Sequence, residues 1–276
     1  MEGSRSPHRI PLPRIRARRV EMTIVSSASA DSVLVVGATG RVGRLIVREL
    51  SDKGLKAKCL ARKPEDDNSK YLKTLPGVRV VEGDVTDAVS VRRAMDGCTK
   101  CIACFGAARI VKLSDFWRNG EAECAHPKSV NYRGVLNLIE AAKDTPDFEK
   151  FIRVTGLSVG YSPYHPVAVL LNTVLSMTIK WQLAGEMAIR ASGLNYTTVR
   201  PGSLTDEPEA GDRLRISYGS GVYTHPTGKT SRAVGHFAFI VATGRCLEHR
   251  IECPLSVRIR ESVFTKASVN FHSQKI

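Results

Sequence analysis

Aromatic side chains are scarce in this chain, at 6% of residues with only two tryptophans. A single-strand nucleic-acid platform interleaves aromatics with Lys and Arg. No such stretch occurs, so the net charge of +14 does not by itself point to nucleic acid. Long apolar runs are also missing. The longest, 167–179, has 13 residues, whereas a bilayer span needs about 20, so no transmembrane span is expected. The seven cysteines have no regular framework, which suits a reducing compartment. Acidic residues are nearly absent from 1–30, which hold six arginines against two glutamates. Arg5, Arg9, Arg14, Arg16, Arg18 and Arg19 alternate there with Pro and small residues. This composition fits a disordered basic segment. It reads either as an organellar transit peptide, for chloroplast or mitochondrion, or as a tail without an address on a cytoplasmic protein. The main domain is expected over 31–243, followed by an irregular basic tail over 244–276.

Against these absences one stretch carries most of the signal. Val33, Leu34, Val35 and Val36 form an unbroken apolar run rich in β-branched residues, as in a strand buried on both faces. Gly37, Gly40 and Gly43 follow with the spacing G-x-x-G-x-x-G, and Val42, Leu45, Ile46, Val47 and Leu50 then recur at helical spacing. Strand, glycine turn and helix make a phosphate cradle. The turn admits a pyrophosphate close to the backbone, and the helix N-terminus offers free N–H groups and the positive end of its dipole. The glycines alone are a weak signal; their setting between strand and helix makes a bound dinucleotide the expectation.

A second strand over 55–61 ends in Arg62-Lys63-Pro64. Units that bind NAD place an acidic residue near this point for the ribose hydroxyls, whereas an Arg suits the 2′-phosphate of NADP. A guanidinium grips a phosphate bidentately, so NADP(H) is favoured over NAD(H). A third strand with its exit over 78–87 puts Asp84 where it either accepts from the adenine amino group, with Val85 on the ring, or caps the next turn. A short helix is expected over 89–95. The fourth strand and its exit cover 101–107. There Cys98, Cys101 and Cys104 have the spacing C-x-x-C-x-x-C, but a strand sends such side chains to alternating faces, and no metal site is expected. The polar connection 108–128 is long enough to contribute to a small-molecule substrate pocket. A helix over 131–142, a strand over 151–155 and a strand over 195–200 follow. Between the last two lies the run 167–179, read as a buried helix continued over 182–192. This helix offers a surface for a second copy or a protein partner. Strands alternating with helices predict an α/β fold, a doubly wound parallel sheet with its ligand at the C-terminal strand edge.

Gly37-Ala38-Thr39-Gly40-Arg41-Val42-Gly43, Glu82-Gly83-Asp84-Val85-Thr86-Asp87 and the run from Ala191 through Arg200-Pro201-Gly202-Ser203-Leu204-Thr205 resemble the atypical short-chain dehydrogenase/reductases of NmrA-like type. The resemblance covers roughly residues 32–207, with weaker traces to Arg232, and is nearest in style to plant and algal organellar members. It implies a Rossmann-type domain with a bound dinucleotide. Gly37, Thr39, Gly40, Arg41, Val42 and Gly43 would hold the pyrophosphate. Arg62 would meet the 2′-phosphate, and Asp84 with Val85 the adenine. Cys104, Phe105 and Gly106 would line the ribose side. Thr155, Pro201, Gly202 and Ser203 would frame the nicotinamide.

The chain departs from the family at two places. Active members carry Tyr-x-x-x-Lys, in which the Lys lowers the tyrosine pKa for proton donation. Counting back from Glu186 puts Thr178 and Gln182 at those positions. Thr155, Tyr161 and Tyr164 are the weak catalytic candidates left. Beyond Ser231-Arg232 the periodicity fades, so a small or truncated substrate lobe is expected. Two functions follow from this: an NADP(H)-dependent oxidoreductase of a small organic substrate without the dyad, or a non-catalytic dinucleotide-binding redox sensor or organellar assembly factor.

Overall fold

A computed structural model describes residues 32–107, 123–162, 164–174 and 177–201, together with four short strands further on. The segment 1–30 and the connection 108–122 lie outside the described residues. The first strand, β1 (Ser32–Val36), feeds helix α1 (Arg41–Asp52). Then come β2 (Lys56–Ala61), α2 (Asp67–Lys73), β3 (Val78–Glu82), α3 (Ala88–Met95) and β4 (Cys98–Ala103). A π-helical turn, Lys128–Arg133, runs into α4 (Gly134–Lys143). After it come β5 (Lys150–Val154), a 3-10 turn (Leu157–Gly160), α5 (Pro166–Val174), α6 (Thr178–Ala191) and β6 (Tyr196–Arg200). These strands lie parallel in the order β3-β2-β1-β4-β5-β6. The later strands are β7 (Ser203–Leu204), β8 (Ile216–Tyr218), β9 (Lys229–Thr230) and β10 (Val257–Glu261). Strand β10 pairs antiparallel with β6 and parallel with β8, and β7 pairs with β9. Of the tail expected to be irregular over 244–276, the described part is the strand β10.

Period-two alternation divides the core. Val33 and Val35 of β1 join Ile46, Val47 and Leu50 of α1 and Leu72 of α2 on one face. Leu34 and Val36 join Val91 and Met95 of α3, Leu138 and Ile139 of α4, and Ile189 of α6 on the other. Helices therefore cover both faces, the doubly wound arrangement that a parallel sheet needs to stay dry. Helices α2 and α3 begin where side chains satisfy free N–H groups. Asp66 accepts from Ser69 N–H at 2.7 Å ahead of α2, and Asp87 accepts from Val89 and Ser90 N–H ahead of α3.

Two expectations need correction. The pairing of β1 with β4 steps from Ser32↔Cys98 to Val33↔Lys100, so Thr99 is an extra residue. This bulge puts Cys98 and Cys101 in the same core cluster, with Cys104 packing on the opposite one. Simple alternation would have separated the first two. The run 167–179 is not one buried helix. It breaks at Met177, which adopts a left-handed conformation (φ 57°), and α5 bends from α6 by 102°. Val167, Val169, Leu170 and Val174 on α5 are exposed, Leu170 at 60%. Among the described residues no single helix is long and apolar enough to cross a membrane.

Candidate functional site

The sheet order reverses direction between β1 and β4, and a crevice opens at their C-terminal ends, as at other such switch points. It is a cleft of about 280 Å³ lined by the glycine turn and by the exits of β2, β3 and β4. The β4 exit begins at Cys104, and residues 104–107 form one wall.

The glycine turn is shaped by close approach. Gly37 has φ +85°, and a Cβ there would sit 2.9 Å from the backbone of Cys104 and Phe105. A Cβ at Gly43 would collide with the Gly37 carbonyl oxygen and lie 2.7 Å from Ala38 Cα. The Gly40 N–H donates to that same carbonyl at 3.0 Å, and Gly40 caps α1. Gly37, Thr39 and Gly40 line the cleft, while Arg41 opens α1 and Val42 packs on the core. The β1–turn–α1 unit thus points the free N–H groups of a helix start toward the cleft, an arrangement suited to a pyrophosphate.

Arg62, exposed at the end of β2, and Asp84 and Val85 at the end of β3 line the opposite rim. The Asp84 carboxylate accepts from Thr86 N–H at 2.8 Å and Thr86 Oγ1 at 2.7 Å. It therefore closes its own turn and also borders the cleft. Asn137 donates to the Val85 carbonyl oxygen at 2.9 Å, which ties the strand exit to α4. Cys104, Phe105 and Gly106 line the remaining wall. Cys104 N–H donates to the Val36 carbonyl oxygen at 2.9 Å, so this wall continues the sheet pairing beyond β4.

Further along the sheet edge lies a polar cluster whose partners are far apart in sequence. Asn131, wholly buried in the π-helical turn, accepts from Ala107 N–H at 3.0 Å and donates to Thr178 Oγ1 at 3.1 Å. Gln182 Nε2 lies 3.5 Å from the point where a side chain on Gly106 would begin. Thr178 and Gln182, at the positions of the family dyad, are thus beside the wall but carry no titratable group. The Thr155 hydroxyl donates to Glu186 Oε1 at 2.6 Å, and Arg200 grips both carboxylate oxygens of Glu186. Arg153, on β5, has its guanidinium carbon 4.3 Å from the Phe105 ring centroid. Burial depresses its pKa to about 10, against the opposing pull of Glu186.

Some of the residues singled out from sequence lie away from the cleft. Thr155 points into the Glu186 cluster. Tyr161 stacks on His165 with centroids 4.3 Å apart, and Tyr164 is 90% exposed. None of the three is among the lining residues. Pro201 is buried, and its carbonyl oxygen accepts from Leu157 N–H at 2.8 Å. Gly202 lies outside the described residues, and of Ser203 only its place in β7 is described. Asn131, Arg153, Glu186 and Arg200 had not been singled out as site residues. A buried charge cannot be recognised in a lone strand such as Phe151-Ile152-Arg153-Val154, because the pattern does not show what faces it.

A family model described as NAD(P)H-binding matches residues 37–239. Curated relatives are chloroplastic plant proteins. The Arabidopsis thaliana protein At2g34460 is 29% identical over 192 residues, covering 68% of this chain and 64% of that one. Arabidopsis Protein TIC 62 is 30% identical over 202 residues, covering 68% of this chain but 30% of its own length. The divinyl chlorophyllide a 8-vinyl-reductase of Oryza sativa subsp. indica is 29% identical over 184 residues, covering 63% and 40%. The matches therefore span less than two thirds of these relatives. Among solved structures, a protein described as an NAD-dependent epimerase/dehydratase from Bacillus halodurans superposes with TM-score 0.60 at 18% identity, covering 84% of this chain and 94% of that one. A short-chain dehydrogenase/reductase from Veillonella parvula, solved with NADP, gives 0.59 at 15% identity, covering 83% and 94%.

Proposed function

Since this chain belongs to the NAD(P)H-binding family and has the fold of the atypical short-chain dehydrogenase/reductases, we propose that it is an NADP(H)-dependent oxidoreductase of a small organic substrate, working in a plastid. The chloroplastic relatives support the location. The single observation behind the cofactor preference is Arg62. It stands at the cleft rim, at the end of β2, where an acidic side chain would favour the unphosphorylated ribose.

The residues present fit a dinucleotide because Gly37 and Gly43 let the turn pack tightly against the β4 exit and against itself, which keeps the start of α1 at the cleft. When bound, the cofactor supplies a hydride at its nicotinamide ring. The glycine turn and the start of α1 hold the pyrophosphate, Arg62 the 2′-phosphate, and Val85 with Asp84 the adenine. Asn131 fixes the wall at Ala107 through its side-chain oxygen, and so positions the surface against which the reactive end rests. Thr155 directs its hydroxyl proton toward Glu186 and offers its oxygen as an acceptor.

A second reading, a dinucleotide-responsive sensor or assembly factor, draws support from Thr178 and Gln182 in place of the dyad, with Thr178 Oγ1 already bonded to Asn131. The exposed apolar side chains of α5 support a partner or second copy on that face.

Calorimetric titration tests the cofactor assignment. NADPH should bind about tenfold or more tightly than NADH, and Arg62→Asp should reverse the order, a difference of at least about 1.4 kcal/mol. Equal affinities in the native chain would remove Arg62 from the site. Consumption of NADPH with any small carbonyl or alkene substrate then separates the oxidoreductase from the sensor.

A further inference from the structure

Arg153 is fully buried, yet its guanidinium is only partly satisfied. Nη1 donates to the Ala103 carbonyl oxygen at 3.2 Å, while Nε and Nη2 have no hydrogen-bond partner among the described residues. A cation removed from water is unfavourable unless fixed dipoles or an opposite charge replace the water. Glu186, the carboxylate that acts on Arg153, is already held by Arg200 and Thr155. Among the described residues, two guanidinium groups against one carboxylate leave a positive charge uncompensated. The nearby thiols do not supply the missing charge. Burial pushes Cys104 up to about 12 and Cys101 higher still, so both stay neutral in neutral solution.

The unpaired donors are also geometrically specific. Nε and Nη2 form one edge of the planar guanidinium, the fork that meets a carboxylate through two parallel hydrogen bonds. The cover over this group is Phe105, whose ring lies against the guanidinium and which also lines the cleft. The glycine turn that suits the pyrophosphate follows β1, whereas Arg153 stands on β5, across β4 from it. Arg153 therefore lies on the β5 side of the cleft wall, behind Phe105, and is not itself among the lining residues.

We propose that Arg153 is the receptor for a carboxylate on the substrate, uncovered when Phe105 turns aside. The substrate class is therefore an organic acid. This deepens the oxidoreductase reading and rests on it for the word substrate, but the anion site itself is testable by binding alone.

The full chain, with and without NADP+, is titrated calorimetrically at constant ionic strength with benzoate, acetate and the neutral isostere benzamide. Benzoate should bind and benzamide should not. Arg153→Met should weaken benzoate about tenfold or more while leaving NADPH affinity within about twofold, and Phe105→Ala should tighten benzoate by removing the cover. Arg153→Lys, which keeps the charge without the fork, should fall between and serves if the Met variant does not fold. The proposal is overturned if the native chain binds neither carboxylate, or if Arg153→Met and Arg153→Lys bind benzoate as the native chain does. It is also overturned if Arg153→Met loses NADPH instead, since the guanidinium would then serve a nucleotide phosphate. Failure of the native chain to bind NADPH would instead remove the oxidoreductase reading, and the anion titration without dinucleotide still stands apart from that result.

Discussion

At Gly43 a single hydrogen atom separates the observed glycine turn from a clash. A methyl group at this position meets the Gly37 carbonyl oxygen, which also receives the Gly40 N–H. Gly43→Ala should therefore push α1 away from the turn, weaken NADPH by about tenfold or more in calorimetric titration, and lower the thermal midpoint. Retained affinity would mean that the turn can shift without consequence. Residues of this kind were legible in sequence because their constraint is local. Gly37, Gly40, Arg62, Asp84, Val85 and Phe105 all border the cleft where their position after a strand suggested. Asn131, Arg153 and Glu186 were not legible as site residues. Their roles depend on Ala107, Thr178, Phe105, Thr155 and Arg200, and no spacing along the chain announces such partners. Thr155 shows the converse. Its place at the end of β5 was read correctly, but the direction of its hydroxyl is set by a carboxylate on another element.

Among elements, strands with unbroken apolar runs were the easiest to read, since a central parallel strand needs apolar side chains on both faces. Helix α2 was not foreseen, because Asp67–Lys73 buries only Ser69 and Leu72 and owes its start to the Asp66 cap. The π-helical turn Lys128–Arg133 hides inside an ordinary amphipathic pattern, yet it is what delivers Asn131 to the wall. The break between α5 and α6 was missed for a different reason: a continuous apolar run gives no sign of where the backbone turns. Met177 bears that turn with φ 57°, a conformation that is unfavourable for a side chain bearing a Cβ. Met177→Gly should raise stability by up to about 1 kcal/mol, read as a shift of the urea midpoint at unchanged slope. A loss of stability would show that the Met side chain contributes more by packing than the backbone loses by strain.

For the whole molecule, the buried thiols set an alkaline limit. Burial raises Cys59 from the usual 9.0 to about 12, and Cys104 equally to about 12. The folded state therefore holds these protons more tightly than the unfolded chain does. The resulting stability is complete below about pH 9 and is lost as pH rises toward 12, at about 1.4 kcal/mol per pH unit for each thiol. Urea unfolding followed between about pH 9 and about pH 11 should show stability falling. The double variant Cys59→Ala, Cys104→Ala should fall less steeply, and identical slopes would mean that these thiols ionise freely when folded. The order β3-β2-β1-β4-β5-β6 has a temporal consequence as well. Strand β1 is made first but lies in the middle, between β2 and β4. During synthesis, at about 5–20 residues per second, β1 with β2 and β3 can assemble early, but one edge of β1 stays bare until Cys98–Ala103 emerges. That unpaired edge, in the most apolar strand of the sheet, is the interval in which a nascent chain has most need of a chaperone.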